Sequence, residues 1–195
     1  MYTVKEIFLT LQGEGFHTGR PAVFCRFSGC NLWSGREADR ARAVCRFCDT
    51  DFVGVGPDGG TFDSPGALAD AVARCWPSSD GPRAPRFVVC TGGEPLLQLD
   101  PPLADALHER GFEIAVETNG TRAPLVLTHG DELKLIYPQE GAEPERYASL
   151  AFTHFFLQPM DSPALQQNTR AALAYCLANP RWKLSLQTHK LLGIR

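Results

Sequence analysis

The chain alternates short apolar segments with segments whose apolar residues recur at helical spacing. Residues 21–28 predict a strand. The alternation of side chains places Val23, Cys25 and Phe27 on one face of this strand and Arg26 on the other. Arg26 is therefore expected in a different environment from that of the apolar face.

Strands and helices then alternate along the chain. Ser64 followed by Pro65 predicts the capped start of a helix that ends near Trp76, and Gly111 closes a later helix. Further strands are predicted at 87–90, 112–117, 132–137, 151–157 and 184–186, further helices at 103–110 and 164–177, and loops at 53–60 and 77–85. The order strand, helix, strand predicts a parallel α/β sheet whose functional loops follow the carboxyl ends of its strands.

The composition predicts one soluble domain that spans residues 1–195. Hydrophobic residues make up 44% of the chain, enough for a core, and a net charge of -3 argues against nucleic acid as a partner. No run of about 18 apolar residues occurs and the amino terminus has no cleavage signal, so we expect no membrane association and a cytoplasmic location. The odd number of cysteines, seven, favours a reducing compartment over a disulfide framework.

Three of these cysteines, Cys30, Cys45 and Cys48, form the most informative motif. Cys45 and Cys48 have the C-x2-C spacing that is typical of metal ligands. A closed zinc site or a fully ligated iron-sulfur cluster takes four protein ligands, so three cysteines indicate a metal centre with one position open for chemistry. That arrangement points to an enzyme. The remaining cysteines lie in apolar patterns and are interpreted as buried thiols: Cys25, Cys75, Cys90 and Cys176.

Zinc is the alternative metal. A zinc-dependent base deaminase has His-x-Glu followed by Pro-Cys-x-x-Cys, but Val44 precedes Cys45 here and His108-Glu109 lacks the spacing. A zinc ribbon needs a second C-x2-C pair, which the chain lacks. Zinc remains only as a three-cysteine site with an unidentified fourth ligand.

Short motifs throughout the chain occur in the same order as in a known family. They are Leu11-Gln-Gly-Glu-Gly15, Arg26-Phe-Ser-Gly-Cys30, Cys48-Asp-Thr50, Thr91-Gly-Gly-Glu-Pro95, Glu117-Thr-Asn-Gly120, Gln158-Pro-Met-Asp161 and Gln187-Thr-His-Lys190. With these motifs the chain resembles the radical S-adenosylmethionine enzymes and, within them, the 7-carboxy-7-deazaguanine synthase family. Most of these enzymes have C-x3-C-x2-C; some synthases lengthen the first gap, and the C-x14-C-x2-C here looks like that variant.

The resemblance implies a four-iron four-sulfur (4Fe-4S) cluster held by Cys30, Cys45 and Cys48, with S-adenosylmethionine on the fourth iron. One electron, from a donor such as flavodoxin or ferredoxin, would cleave that cofactor to a 5′-deoxyadenosyl radical. In the family the radical takes a hydrogen atom from 6-carboxy-5,6,7,8-tetrahydropterin, which contracts its ring and loses ammonia to give 7-carboxy-7-deazaguanine, a step towards queuosine. A magnesium ion (Mg2+) near Thr50 is also implied, since a hydroxyl is a hard oxygen ligand.

Physical arguments support individual roles within the resemblance. A pterin offers donors, acceptors and a carboxylate, which suit Gln12, the backbone at Gly13, Glu14 and the guanidinium of Arg26. Taken alone, Gln12 and Glu14 indicate a solvated turn more often than a pocket, and an exposed strand position is the lesser alternative for Arg26. The resemblance assigns substrate binding to Leu11, Gln12, Gly13, Arg26, Thr91 and the terminal carboxylate of Arg195, and catalysis to Glu14 and His189. It assigns cofactor binding to Gly93, Glu94, Glu117, Asn119, Gln158, Pro159, Met160 and Asp161.

One segment departs from the family pattern. After Glu117-Thr-Asn-Gly120 the family continues through a helix and a strand that ends in a Ser-Pro-Lys type of segment, whereas here Thr121-Arg-Ala-Pro124 leads directly to the apolar residues 125–127. A parallel crossover takes about a dozen residues, more than this connection offers. Either the chain lacks a helix and a strand here, or the sequence omits a segment.

The predicted fold is an incomplete, open parallel α/β barrel of the radical S-adenosylmethionine type, with the cluster and the substrate at the carboxyl ends of the strands. Its open edges favour a homodimer. Two other functions stay open at this stage: an enzyme that places a glycyl radical on a protein partner, and a zinc-binding module without catalysis. Gln12, Glu14, Arg26 and His189 favour the synthase over the activating enzyme, which needs a peptide groove.

Overall fold

An eight-stranded sheet forms the centre of the computed structural model, which describes residues 1–77, 85–122 and 129–194. The strands are β1 (Tyr2–Leu11), β2 (Pro21–Phe27), β3 (Gly60–Phe62), β4 (Arg86–Gly92), β5 (Phe112–Thr118), β6 (His129–Tyr137), β7 (Ala151–Pro159) and β8 (Trp182–Leu184). Their order in the sheet is β3-β1-β2-β4-β5-β6-β7-β8. From β2 to β8 neighbouring strands are parallel, whereas β1 is antiparallel to both of its neighbours. β3 and β8 form the two free edges of the sheet, which confirms the predicted open barrel.

The helices lie between or after the strands. They are α1 (Pro65–Cys75), α2 (Pro101–Glu109), α3 (Leu165–Ala178) and α4 (Thr188–Leu192), with short 3-10 helices at Glu37–Arg42, Pro95–Leu97 and Pro144–Tyr147. The predicted cap of α1 is confirmed, because the Ser64 hydroxyl accepts a hydrogen bond from Ala67 N at 3.1 Å. Among the described residues, no helix combines the length and the hydrophobicity that crossing a membrane requires.

The last strand differs from its prediction. The strand predicted at 184–186 is wrong in position, since β8 ends at Leu184. The physical reason is the indole of Trp182, which is buried at 3% exposure and packs edge-on against the ring of Phe155, with the ring centres 5.1 Å apart. Burial of this large apolar surface favours strand pairing that begins at Trp182, two residues before the predicted start.

Two strands were not predicted at all. The charges of Lys5 and Glu6 interrupt the apolar pattern of β1, although Tyr2 and Val4 at its start are buried. Gly60, the last residue of the predicted loop at 53–60, begins β3. Most of the predicted loop at 77–85 lies outside the described residues.

The outer face of the sheet packs against α1, α2 and α3 and forms the main core. Val23, Cys25 and Phe27, predicted to share one face of β2, all lie in this core at 1% exposure or less. Arg26 faces the opposite side and lines a cavity, as the alternation predicts. The strand pattern therefore separates structural from functional positions.

The inner face of the sheet is layered along the strand direction. Near the amino ends of the parallel strands it carries a small apolar cluster of Ala22, Phe87, Val89 and Ala115, with Phe24 packed against it. Further along, the same face carries polar side chains: Arg26, Thr91, Glu117, Lys134 and Gln158. The strand register pairs Arg26 with Thr91 and Glu117 with Lys134, so these side chains meet at the carboxyl ends of the strands.

β5 and β6 are parallel neighbours, although the connection between them is short. It comprises residues 119–128, of which 123–128 lie outside the described residues, and its described part contains neither a helix nor a strand. The structure therefore pairs β5 directly with the strand predicted at 132–137. As a result Glu117 and Lys134 become cross-strand neighbours.

Candidate active site

A cavity of about 510 Å³ opens at the carboxyl ends of the parallel strands. Most of the residues that the sequence assigned to the site line it: Leu11, Gln12, Gly13, Glu14, Arg26, Cys45, Cys48, Thr50, Thr91, Gly93, Glu117, Asn119, Gln158, Pro159, Asp161 and His189. Three assigned residues, Cys30, Glu94 and Met160, are not part of this lining. Arg195 falls outside the described residues.

Lys134 on β6 is the central charge of the cavity. Its side chain is 3% exposed, and its ammonium group forms ion pairs with the carboxylates of Glu14 and Glu117, the latter at 2.7 Å. Burial lowers the pKa of Lys134 well below its usual range and raises the pKa of Glu117. Hydrogen bonds from Gln12 and Thr91 to the charged form of Glu117 partly offset that rise. Each charged group thus depends on its neighbours to remain charged.

Lys134 and its neighbour Glu132 are site residues that no sequence motif predicts, although the strand predicted at 132–137 contains a signal. Leu133 and Leu135 alternate with these two charged residues, so both charges belong to one face of a strand. A charge on a buried strand face requires a partner. The alternation could have marked both residues as candidates, but it could not name their partners: Glu117 lies on the neighbouring strand, and Glu14 and Phe16 are more than 100 positions away in the chain.

The loop after β1 holds Gln12 and Glu14 in the cavity wall. Gln12 Nε2 donates to Glu117 Oε1 at 3.3 Å, and Gln12 Oε1 accepts from the backbone N–H of Glu14 at 3.2 Å. The two side chains are buried, at 2% and 7% exposure. They are therefore parts of a polar pocket rather than of a solvated turn.

α4 closes over this loop. Thr188 donates to the carbonyl oxygen of Gly13 through its backbone N–H (2.9 Å) and through its hydroxyl (2.7 Å). Gln187 Nε2 donates to Glu14 Oε1 at 3.0 Å. The end of the described chain is thereby fastened to the loop that carries Gln12 and Glu14.

His189 completes this side of the cavity. Its Nδ1 lies 3.6 Å from Glu14 Oε1. Burial lowers the pKa of His189, and the positive charges of Lys134 and Lys190 lower it further. The imidazole is accordingly neutral at pH 7 and able to accept a proton.

Glu132 supports the same loop from β6. Its Oε2 accepts a hydrogen bond from the backbone N–H of Phe16 at 3.0 Å. Gly15 has a φ of +70°, and a Cβ at this position would collide with Glu132 Oε1, so only glycine lets the loop approach the carboxylate. The carboxylate is 1% exposed, and this burial raises the pKa of Glu132 to about 7.

Arg26, on β2, also lines the cavity. Its Nε donates to Glu6 Oε1 at 2.7 Å, in an ion pair that is largely buried. Glu6 thus orients the guanidinium from the neighbouring strand β1. Arg26 also brings positive charge towards Glu117. An oriented guanidinium of this kind suits a ligand with a carboxylate group.

The cysteine loop, residues 30–50, forms one rim of the cavity. Cys45 and Cys48 share a hydrogen bond, which raises the pKa of Cys45 and lowers the pKa of Cys48 to about 6. Thr50 donates a further hydrogen bond to the Cys48 sulfur. Cys48 is therefore the first of the two to reach the thiolate form that binds metals.

Cys30 lies beside this pair, where burial raises the pKa of its thiol. Its sulfur accepts hydrogen bonds from Leu32 N at 3.4 Å and from Asn119 Nδ2 at 3.9 Å. Cys30 and Cys48 both pack against a small core of Trp33, Ala43 and Phe52. This core explains how the long insertion between Cys30 and Cys45 keeps an ordered shape.

The donor chemistry of the loop fits an iron-sulfur cluster. Within the described ranges no group of three or more histidine, cysteine, aspartate or glutamate side chains is already arranged around a metal position. The thiols of Cys30, Cys45 and Cys48 are nevertheless close enough to shift one another's pKa, and backbone and amide N–H groups point at their sulfurs. Gly93 lets the β4 turn approach Cys30, because a Cβ there would collide with Gly29 O.

Glu94 positions the end of β5 from behind the cavity. It is fully buried; one carboxylate oxygen accepts from the Thr118 hydroxyl (2.7 Å) and from Leu96 N (2.9 Å), and the other accepts from Asn119 N (2.9 Å). Glu94 therefore fixes Asn119 in the cavity wall. Its assigned contact with the cofactor stays a prediction, as does that of Met160, whose N–H donates to Tyr137 O.

Replacing Glu132 by glutamine should make the stability of the protein less dependent on pH. The pKa of Glu132 is about 7 in the folded protein against an ordinary 4.5, so its favourable contribution is complete below pH 4.5 and is lost as the pH rises through 7. Between pH 5 and 8 the free energy of unfolding of the native protein should fall by about 2.5 kcal/mol relative to Glu132→Gln. Urea titrations at both pH values measure this difference, with Glu140→Gln at an exposed position as control. A difference that is constant with pH would contradict the assignment.

Comparison with known proteins gives a consistent result. No family model matches the chain. The chain is 60% identical to the 7-carboxy-7-deazaguanine synthase of Caulobacter vibrioides and 58% identical to that of Bordetella pertussis, with 99% of both chains covered in each case. These alignments extend over 210 positions, more than the 195 residues of this chain, so the relatives contain residues that it lacks. That finding agrees with the shortened connection between β5 and β6.

The solved structure of QueE from Escherichia coli is similar to this chain, with a TM-score of 0.58 and 27% identity over 96% of this chain and 94% of that one. The similarity supports the open α/β barrel. Curated relatives of nearly 60% identity cover almost the whole chain. The chain therefore belongs to the 7-carboxy-7-deazaguanine synthase family of radical S-adenosylmethionine enzymes.

Proposed function

We propose that this chain converts 6-carboxy-5,6,7,8-tetrahydropterin to 7-carboxy-7-deazaguanine with loss of ammonia, as a step in queuosine biosynthesis. One observation carries the proposal: a single cavity is lined both by the cysteine loop and by a set of complementary, mostly buried polar groups, Gln12, Glu14, Lys134 and His189. A metal-binding loop facing a compact polar pocket is what radical chemistry on a small heterocycle requires.

The chain's thiols and strand ends would hold the cofactors. Cys30, Cys45 and Cys48 would bind a 4Fe-4S cluster, and Gly93, Glu117, Asn119 and the segment Gln158-Pro-Met-Asp161 would bind S-adenosylmethionine. Together the bound cofactors supply the one-electron chemistry that removes a hydrogen atom from the substrate. Thr50, whose hydroxyl lies at Cys48, is the proposed ligand of Mg2+ beside the substrate carboxylate.

The pocket residues bind and orient the pterin. The amide of Gln12 and the carboxylate of Glu14 offer a donor and acceptors to the ring edge, and Lys134 holds Glu14 in place from below. Arg26, oriented by Glu6, is placed to bind the substrate carboxylate. Because these groups are mostly buried, each hydrogen bond to the substrate forms without competition from bulk water.

Loss of ammonia requires a proton at the departing nitrogen. His189 is neutral at pH 7 and its Nδ1 lies 3.6 Å from Glu14 Oε1, so the imidazole stands beside that carboxylate as a proton acceptor next to the ring. His189 would take a proton from the substrate and return it to the leaving amine. Gln187, bonded to the same carboxylate oxygen, keeps Glu14 pointed at the imidazole.

An anaerobic turnover assay tests the proposal. The reconstituted protein is given 6-carboxytetrahydropterin, S-adenosylmethionine, magnesium and a reductant, and mass spectrometry follows 5′-deoxyadenosine and 7-carboxy-7-deazaguanine. Both products are expected. Deoxyadenosine without the deazaguanine would overturn the substrate assignment, and neither product from protein with a full complement of iron and sulfide would overturn the activity of this shortened chain.

Replacing Lys134 by methionine should weaken pterin binding and reduce turnover by at least about a hundredfold, because two buried carboxylates lose their counter-charge. Titration with fluorescent 6-carboxypterin measures binding, and circular dichroism checks the fold. Lys183→Met, at an exposed lysine on β8, is the matched control. If Lys134→Met does not fold, the double variant with Glu14→Gln removes one of the unpaired charges. Unchanged pterin affinity in a folded variant would refute the role of Lys134.

We also propose that the protein is a homodimer that works in the cytoplasm with a flavodoxin or ferredoxin as electron donor. The seven cysteines are all free, which suits a reducing compartment. Leucines on two helices are exposed and would be covered in a dimer: Leu173 and Leu177 on α3, and Leu191 and Leu192 on α4. Sedimentation equilibrium should give twice the chain mass of 21.4 kDa. A monomer mass at micromolar concentration would exclude the dimer.

A further inference from the structure

Three buried side-chain atoms in the described part of the chain have no hydrogen-bond partner, and all of them belong to two glutamines. They are Nε2 and Oε1 of Gln139 and Oε1 of Gln158. Both glutamines line the cavity of the active site. An unpaired buried amide atom costs about 1–3 kcal/mol, so native proteins rarely keep one without a ligand or a functional reason.

The two glutamines are held at neighbouring strand ends. Gln158 is the residue of β7 that pairs with Ile136 of β6, and Gln139 follows the end of β6. The N–H of Met160 donates to the carbonyl oxygen of Tyr137 at 2.7 Å, which ties together the two chain segments beyond the strands. The backbone therefore holds both residues at neighbouring strand ends, and the same cavity lining includes the apolar side chain of Ile136, the strand partner of Gln158.

An amide beside an apolar wall is suited to a flat heterocycle. A glutamine amide presents one donor and one acceptor side by side, the pattern that pairs with the edge of adenine, where the 6-amino group is a donor and a ring nitrogen an acceptor. The apolar side chain of Ile136 can cover part of the face of such a ring.

The proposed function brings two heterocycles into the cavity, the pterin and the adenine of the cofactor. The existing hydrogen bonds indicate which of the two Gln139 would bind. The amides on the pterin side are already engaged, since Gln12 bonds to Glu117 and Gln187 bonds to Glu14. Gln139 is unpaired and follows β6, the neighbour of the strand that carries Gln158, the first residue of the segment proposed to bind S-adenosylmethionine. The adenine is the heterocycle left for it.

We propose that Gln139 recognises the adenine base of S-adenosylmethionine through its side-chain amide, with Oε1 accepting from the 6-amino group and Nε2 donating to a ring nitrogen. This inference rests on the proposed function and adds to it the residue that selects the nucleobase. Gln139 did not stand out in the sequence, because it follows Pro138 in a segment of turn-like composition.

Equilibrium binding tests the proposal without any turnover. Isothermal titration calorimetry on the cluster-reconstituted protein compares S-adenosylhomocysteine with its purine analogue, in which hydrogen replaces the 6-amino group. The native protein should bind S-adenosylhomocysteine about tenfold more tightly than the purine analogue. Gln139→Leu should bind S-adenosylhomocysteine about tenfold more weakly than the native protein does and should no longer distinguish the two ligands.

A second variant separates recognition from mere damage to the fold. Gln139→Glu keeps the acceptor and loses the donor, so it should still prefer the ligand with the 6-amino group. The preference is a ratio of two affinities measured in one protein sample, and it is insensitive to a fraction of misfolded material. Gln166→Leu, at an exposed glutamine on α3, is the matched control and should behave as the native protein does.

Two results would overturn the proposal. One is an unchanged preference for the 6-amino group in Gln139→Leu. The other is loss of 6-carboxypterin binding in Gln139→Leu while S-adenosylhomocysteine binding is retained, which would assign the amide to the pterin. Failure of the proposed function is distinguishable from both, because it would appear as absence of the deazaguanine product from the native protein.

Discussion

Lys134 is the charge on which the site depends, because it joins parts of the chain that no local interaction connects. Its ammonium group lies between Glu14, on the loop after β1, and Glu117, at the end of β5. Two buried carboxylates around one lysine leave an excess of negative charge, and Arg26 supplies positive charge close by. The stability of such a group depends on the presence of all its members, because removing one member of a buried pair leaves an uncompensated charge.

The layering of the inner sheet face explains how such a charged group can exist inside a small protein. Aromatic and aliphatic side chains close the amino end of the barrel, and polar side chains begin one or two residues further along the same strands. The outer face is purely structural and is covered by helices. Side chains alternate between the two faces of each strand, and this alternation separates core residues from site residues. On the inner face, position along the strand separates the apolar cluster at the amino end from the polar side chains that line the cavity.

The cysteine loop and the substrate pocket are stabilised by different means. The loop has its own small aromatic core around Trp33 and Phe52, and Arg40 stacks on Trp33 while donating to the carbonyl oxygen of Cys48. The pocket is held by long-range hydrogen bonds that Gln187 and Thr188 donate to its loop, and by one that the loop donates to Glu132 on β6. The direct pairing of β5 with β6 determines which charges of β6 face Glu117, so the shortened connection bears directly on the chemistry of the site.

The sequence by itself determined the family, the parallel α/β class, the three thiols and most of the residues that line the cavity, because these depend on local spacing and on ordered motifs. It did not reveal β1 or β3, and it placed β8 two residues too late, since the burial of Trp182 against Phe155 depends on a distant strand. Lys134, Glu132 and Gln139 entered the site only through the tertiary structure. The roles of Lys134 and Glu132 follow from strand register and from partners on other elements, and that of Gln139 from an amide left without a partner in the cavity wall; the sequence shows none of these. Glu94 was assigned to the cavity by its motif, but the structure places it behind the wall, because its carboxylate is taken up by Thr118, Asn119 and Leu96.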